Sequence, residues 1–246
     1  MSEPYPLKNA PIKEALIDIQ VNGSKVDIQS LKTSLDDFST PTEILLTKLQ
    51  FEAGPEGSQS SGGVRTCVGY RYESSNSEFV VQFRQNGMTV SRLAPYADWE
   101  ELLLMAKIIW LKYQEVTKSV DVVRLAVRYI NALKIPFPEN NLIDFDLYLS
   151  NGPQLPPGLG DELDHFLSRL VLSLKSPVGA TAIINQTMEQ PSNEHLPLVL
   201  DIDIFLKFKQ DYPDDDKIWS SLELMRKAKN IIFFNTMTKA ALELCK

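Results

Sequence analysis

Hydrophobic and polar residues alternate with period two in "IKEALIDIQV", residues 12–21. Ala15, Ile17, Ile19 and Val21 share one phase, while Glu14, Asp18 and Gln20 share the other. Such alternation marks a strand with one buried side. "VVRLAVRYINALKIP", residues 122–136, repeats the pattern, with Val127 and Tyr129 opposing Arg124 and Arg128. After the first strand, Ile28, Leu31, Leu35 and Phe38 stand at helical spacing, which predicts a helix over 26–38. "TEILLTKLQFEA" returns to strand character, and "GPEGSQSSGG" (54–63) reads as a connector or hairpin loop. "VRTCVGYRY", "EFVVQFRQ" and "MTVSRL" follow as three strands joined by the short turns "SSNS" and "QNG", an antiparallel meander. From Asp98 to Lys118 the periodicity becomes helical. Trp99, Leu102, Leu103, Ala106, Ile109, Trp110 and Tyr113 form the apolar stripe, and Asp98 and Glu101 stand at capping-box spacing.

The second half follows a similar order. "NLIDFDLYL" suggests a short helix, and "FLSRLVLSLKS", "GATAIINQTM" and "LPLVLDIDIFLKF" suggest strands. "PDDDKIWSSLELMRKAKN" and "FFNTMTKAALELC" close the chain as two helices with a break at Asn230. This order predicts an α+β fold made of an internally duplicated unit (strand, helix, antiparallel strands, helix). The two units, 1–119 and 120–246, would share one antiparallel sheet with helices packed on one face. Residue identity between the halves is negligible, so the expectation rests on element order.

Charge narrows the functional classes. The net charge is −7 and is evenly spread, with 12 Lys+Arg against 15 Asp+Glu in residues 1–118 and 13 against 17 in the remainder. A chain without a basic domain lacks the usual electrostatic footprint for wholesale nucleic-acid binding. No apolar run approaches a membrane span, and the N-terminus lacks the pattern of a signal peptide. Two cysteines, Cys67 and Cys245, fit a reducing compartment, so a cytoplasmic protein is expected.

Most familiar chemistries are missing their residues. His165 and His195 lie outside any zinc spacing, and the glycine-rich 54–63 segment is followed by no Gly-Lys-Ser/Thr. Asp214, Asp215 and Asp216 read as a solvated helix start. A nucleophile–base constellation is not legible, and no cofactor or metal is expected.

The polar phases of the strands hold more. Glu14 and Asp18 lie on the first strand, Arg65 and Arg71 on the third, and Arg84 on the fourth. Arg124 and Arg128 lie on the strand that opens the second half, and Asp201 and Asp203 on "LVLDIDIFLKF". Two readings stand. In one, Glu14, Asp18, Arg128, Asp201 and Asp203 pair across strands and order the sheet. In the other, Arg65, Arg71, Arg84, Arg124, Arg128 and Asn131 bind a partner's anionic groups.

"YPLKNAPIKEALIDIQV" and "RLAVRYINALKIP" resemble a sporadically distributed bacterial family of uncharacterised proteins of about this length. The matching positions are Pro11, Ile12, Glu14 and Ala15, then Arg124, Arg128, Tyr129 and Asn131. The resemblance implies a mobile or defence-related gene context and carries no activity. The expected function is a non-enzymatic binding or interaction protein that uses the mixed-charge face or an exposed edge. A protein partner and a homo-oligomer are left open, and no membrane association is expected. The alternatives are nucleic-acid binding through the arginine-bearing face and an enzyme acting on a small anion.

Overall fold

The computed structural model describes residues 5–246 except 23–25, 55–56, 119–120, 140–141, 159–162 and 211, and of residues 49–62 the backbone alone. Its strands are β1 (Ile12–Val21), β2 (Thr42–Gly54), β3 (Gly57–Glu73), β4 (Phe79–Arg84), β5 (Gly87–Leu93), β6 (Val122–Pro136), β7 (Leu167–Ser173), β8 (Thr181–Met188) and β9 (His195–Lys207). They form one nine-stranded sheet in the order β2-β3-β4-β5-β1-β6-β9-β8-β7. Every pairing is antiparallel. The β1–β6 ladder at the centre joins residues on either side of the expected division at 119–120, which itself lies outside the described residues.

The duplicated α+β expectation is corrected by this architecture. The molecule is dominated by a single large antiparallel sheet, with only three helices among the described residues. The first half contributes five strands and the second four. Both helices expected after the opening strands shrink to single 3-10 turns, Gln29–Leu31 and Phe145–Leu147. The physical cause is local. Asp27 accepts from the Gln29 N–H and Asp144 from the Asp146 N–H, so short acidic side chains bond the nearby backbone in place of a helical ladder. Asp37 then takes a positive φ of 64°, which no helix accommodates. Tyr72 pins the first turn from the core side, its hydroxyl donating to the Leu31 carbonyl at 2.5 Å and accepting from the Thr33 N–H.

Among the described residues three helices remain: α1 (Trp99–Thr117), α2 (Asp215–Thr236) and α3 (Lys239–Glu243). The main helix–sheet contacts are α1 with β5 and β1, and α2 with β6 and β9, so helix covers the middle strands rather than the whole sheet. Asp98 caps α1 by accepting from the Glu101 N–H at 2.8 Å, and Asp214 caps α2 from the Lys217 N–H at 2.9 Å. The expected break at Asn230 is absent, and α2 runs to Thr236. Met225, Lys229 and Phe233 stay buried on one stripe through that point, and packing outweighs the few tenths of a kcal/mol that an interior Asn costs. The expected loop 54–63 is also revised. Its tip, 55–56, lies outside the described residues, but Gly57–Gly63 continues β3 in register with β2.

The core follows the strand phases. Ile17, Ile19, Val90, Phe83, Tyr72, Val127, Tyr129, Ile202 and Ile204 are buried together with Leu102, Ile109 and Tyr113 of α1 and Leu222 and Met225 of α2. Gly87 makes the β4–β5 turn feasible. Its φ is +142°, and a Cβ there would stand 2.1 Å from the Ile19 carbonyl oxygen. That same bare position lies opposite both Arg84 and Gln20, which matters on the other side of the sheet.

Candidate interaction surface

The polar phases converge on a connected charge lattice at the sheet centre. Asp18 of β1 receives Arg84 Nη2 at 2.6 Å, Arg124 Nη1 at 2.8 Å and the Thr89 hydroxyl at 2.8 Å. Arg84 comes from β4, beyond β5, and reaches Asp18 because the residue beside it in the ladder is Gly87. The residue opposite Asp18 on β6 is Ala126, small enough to leave Arg124 its diagonal path. Arg124 also lies 3.7 Å from Asp203 and 4.8 Å over the Phe205 ring. Two same-side positions along β6, Arg128 holds Asp201 through two parallel bonds, and Asn185 of β8 adds a third donor to the same carboxylate at 3.0 Å. Arg169 of β7 extends the chain of contacts to Asn185.

Burial decides what this lattice can do. Asp18 and Asp201 are each only 8% exposed, so their charges are held by arginines in place of water. The Asp201 hydrogen bonds hold the Arg128 guanidinium charged. Burial raises the Asp203 carboxyl above its usual range, and the charges of Arg124 and Arg128 partly offset that rise. Three arginines face three aspartates at the centre, with Arg169 on Asn185 and Lys207 over Phe205 at its margins.

The remaining candidates are dispersed. Arg71 pairs with Glu73 on its own strand, and no ion pair of the exposed Arg65 lies among the described residues. Glu14 lies on the polar phase, with no ion pair among the described residues. Asn131 sits on the opposite, buried side of β6, where its side-chain amide donates to the Leu200 carbonyl at 2.9 Å.

The sheet edge offers a different surface. β7 is the terminal strand and, among the described residues, pairs with β8 alone. Its apolar side chains face outward on both phases, with Leu167 70% and Val171 61% exposed and Leu170 and Leu172 also uncovered. Arg169 is its single charged residue.

No protein-family model and no curated protein matches the chain. Among the described residues no helix is long and apolar enough to cross a membrane, and no cluster of His, Cys, Asp and Glu could hold a metal ion.

Reading by strand phase overlooked one residue of chemical interest, Lys229 of α2, which is buried. Its signal was its position: four residues after Met225 and four before Phe233, it falls on the apolar stripe, where a lysine is out of place.

Proposed function

We propose that the protein is a non-enzymatic binding protein that works through its sheet, with the β7 edge as the docking element for a second copy of the chain. The observation that carries this reading is the character of β7. Natural edge strands are guarded by charges, proline, bulges or covering elements, whereas this one, Arg169 apart, presents four uncovered apolar side chains and a backbone edge that no further strand pairs among the described residues. Antiparallel pairing of two β7 strands centred on Leu170 places Arg169 opposite Val171, so the lone charge never faces itself. The charge lattice supports the reading from the other side. Its arginines are committed to Asp18 and Asp201, which makes it a device for ordering the sheet and weighs against nucleic-acid binding there.

Sedimentation equilibrium of the full chain and of Val171→Lys tests the proposal. The expected result is a wild-type dimer that the substitution converts to monomer. A wild-type chain that stays monomeric at all concentrations, or a dimer indifferent to Val171→Lys, removes it.

A further inference from the structure

On the helix side of the sheet, a cavity of about 330 Å³ opens between the segment preceding β1, the start of α1, β6 and α2. Lys229 projects into it with its Nζ 3.8 Å from the centre of the Tyr129 ring. The residue is 9% exposed, and neither an ion pair nor a hydrogen bond of its amine is found among the described residues. The other charged groups around the cavity do not serve it. Asp98 is engaged in capping α1, Glu100 is exposed, and Lys8 and Arg226 carry the same sign as Lys229.

Unused donors accumulate at this spot. The Tyr96 and Tyr129 hydroxyls lie 2.9 Å apart, so one bonds the other and a second O–H hydrogen remains. Arg226 gives Nε and Nη2 to Glu223 and keeps Nη1 uncommitted among the described residues. Lys229 contributes up to three more N–H groups. The Tyr129 face alone does not settle the ammonium, since a single cation–π contact does not repay the desolvation of a buried ion that has no counter-charge. Among the described residues no carboxylate pairs with this amine.

We propose that this cavity binds a small aromatic monocarboxylate, whose carboxylate pairs with Lys229 and takes the spare tyrosine hydroxyl and Arg226 donors. The walls favour a flat apolar body: Trp99 and Phe233 are buried there, and Tyr5 packs on Phe234 with ring centroids 5.2 Å apart. The volume lies at the small end for ligand pockets, enough for one ring bearing its acid group. Lys229 is the one buried cation among the described lining residues, and a single buried charge matches a monoanion better than a phosphate dianion. Burial and then the neighbouring Arg226 hold the Lys229 amine down to about 7, and a bound carboxylate would favour its charged form.

Calorimetric titration of the full chain with benzoate, and with benzamide as its uncharged counterpart, tests the assignment. Benzoate is expected to bind saturably and benzamide at least roughly tenfold more weakly, since the missing charge pair is worth upwards of a kcal/mol. Lys229→Met, a substitution of similar length, should lose benzoate binding while remaining folded. Failure of wild type to bind benzoate at millimolar concentration overturns the proposal. So does equal binding of the two probes, or benzoate binding that survives Lys229→Met.

Discussion

Arg128 grips Asp201 with Nε at 2.8 Å from Oδ1 and Nη2 at 2.9 Å from Oδ2, although the residue opposite it in the β6–β9 ladder is Asp203. The fork reaches diagonally to the neighbouring carboxylate, where Asn185 also donates, and leaves Asp203 to the longer Arg124 contact. Two parallel bonds to one carboxylate outweigh a shorter path to a less committed one. A strand residue's charge partner is thus set by fork geometry as well as by register.

Burial makes the two ends of the lattice unequal. The Arg128 side chain is 41% exposed but its partner Asp201 is buried, and Arg128→Ala leaves that carboxylate to Asn185 alone, so it should cost about 1–3 kcal/mol in urea denaturation. Asp18, at 11% side-chain exposure, holds two arginines, and Asp18→Ala should cost about 3–5 kcal/mol because it leaves Arg84 without a carboxylate and Arg124 with only its 3.7 Å Asp203 contact. Equal losses for the two variants would contradict this ordering.

Gly87→Ala should destabilise by more than about 1 kcal/mol, since the new methyl meets backbone that cannot swing aside and the φ is wrong for an L-residue. Thermal melts of the variant check this. An unchanged midpoint would mean that the β4–β5 turn has another conformation.

Lys229 predicts a particular dependence of stability on pH. Its folded amine titrates near 7, below its ordinary value of 10.5, so between those values the unfolded chain binds more protons than the folded one. Stability from this residue therefore rises with pH above about 7, and below it the full penalty, of order several kcal/mol, is present. Lys229→Met should be the more stable protein at pH 6, and its advantage should shrink by pH 9. Denaturation of both proteins at the two pH values measures the difference, and a constant gap would refute the assignment.

Fluorescence anisotropy with short DNA and RNA duplexes should show no micromolar binding at physiological salt. The central arginines are already paired, and each phosphate contact would have to displace a buried aspartate. Tight, steeply salt-dependent binding that weakens in Arg124→Ala would reverse this expectation.

Much of the strand layout was legible because period two survives any choice of neighbour. Ile17, Ile19, Val127, Tyr129, Ile202 and Ile204 are buried where alternation put them, and Asp98 caps α1 as its spacing suggested. The helix expected over 26–38 failed because spacing of apolar residues ignores what Asp27 and Asp37 do to their own backbone. The break expected at Asn230 failed because a weak propensity met a strong packing stripe.

The sequence by itself determined which side chains lie on which side of each strand, since the pleat alternates them regardless of tertiary context. It also set the near-balance of charge on the polar phase. Strand order, by contrast, is a long-range choice. Nothing local to "VVRLAVRYIN" states that β1 lies on one side of it and β9 on the other, yet that order brings Asp18 to Arg124 and Asp201 to Arg128. The fate of Lys229 was decided the same way. Helical periodicity marked it as misplaced, but only the packing of α2 on β6 and the approach of Tyr96 enclosed its amine beside spare donors, with no carboxylate paired to it among the described residues.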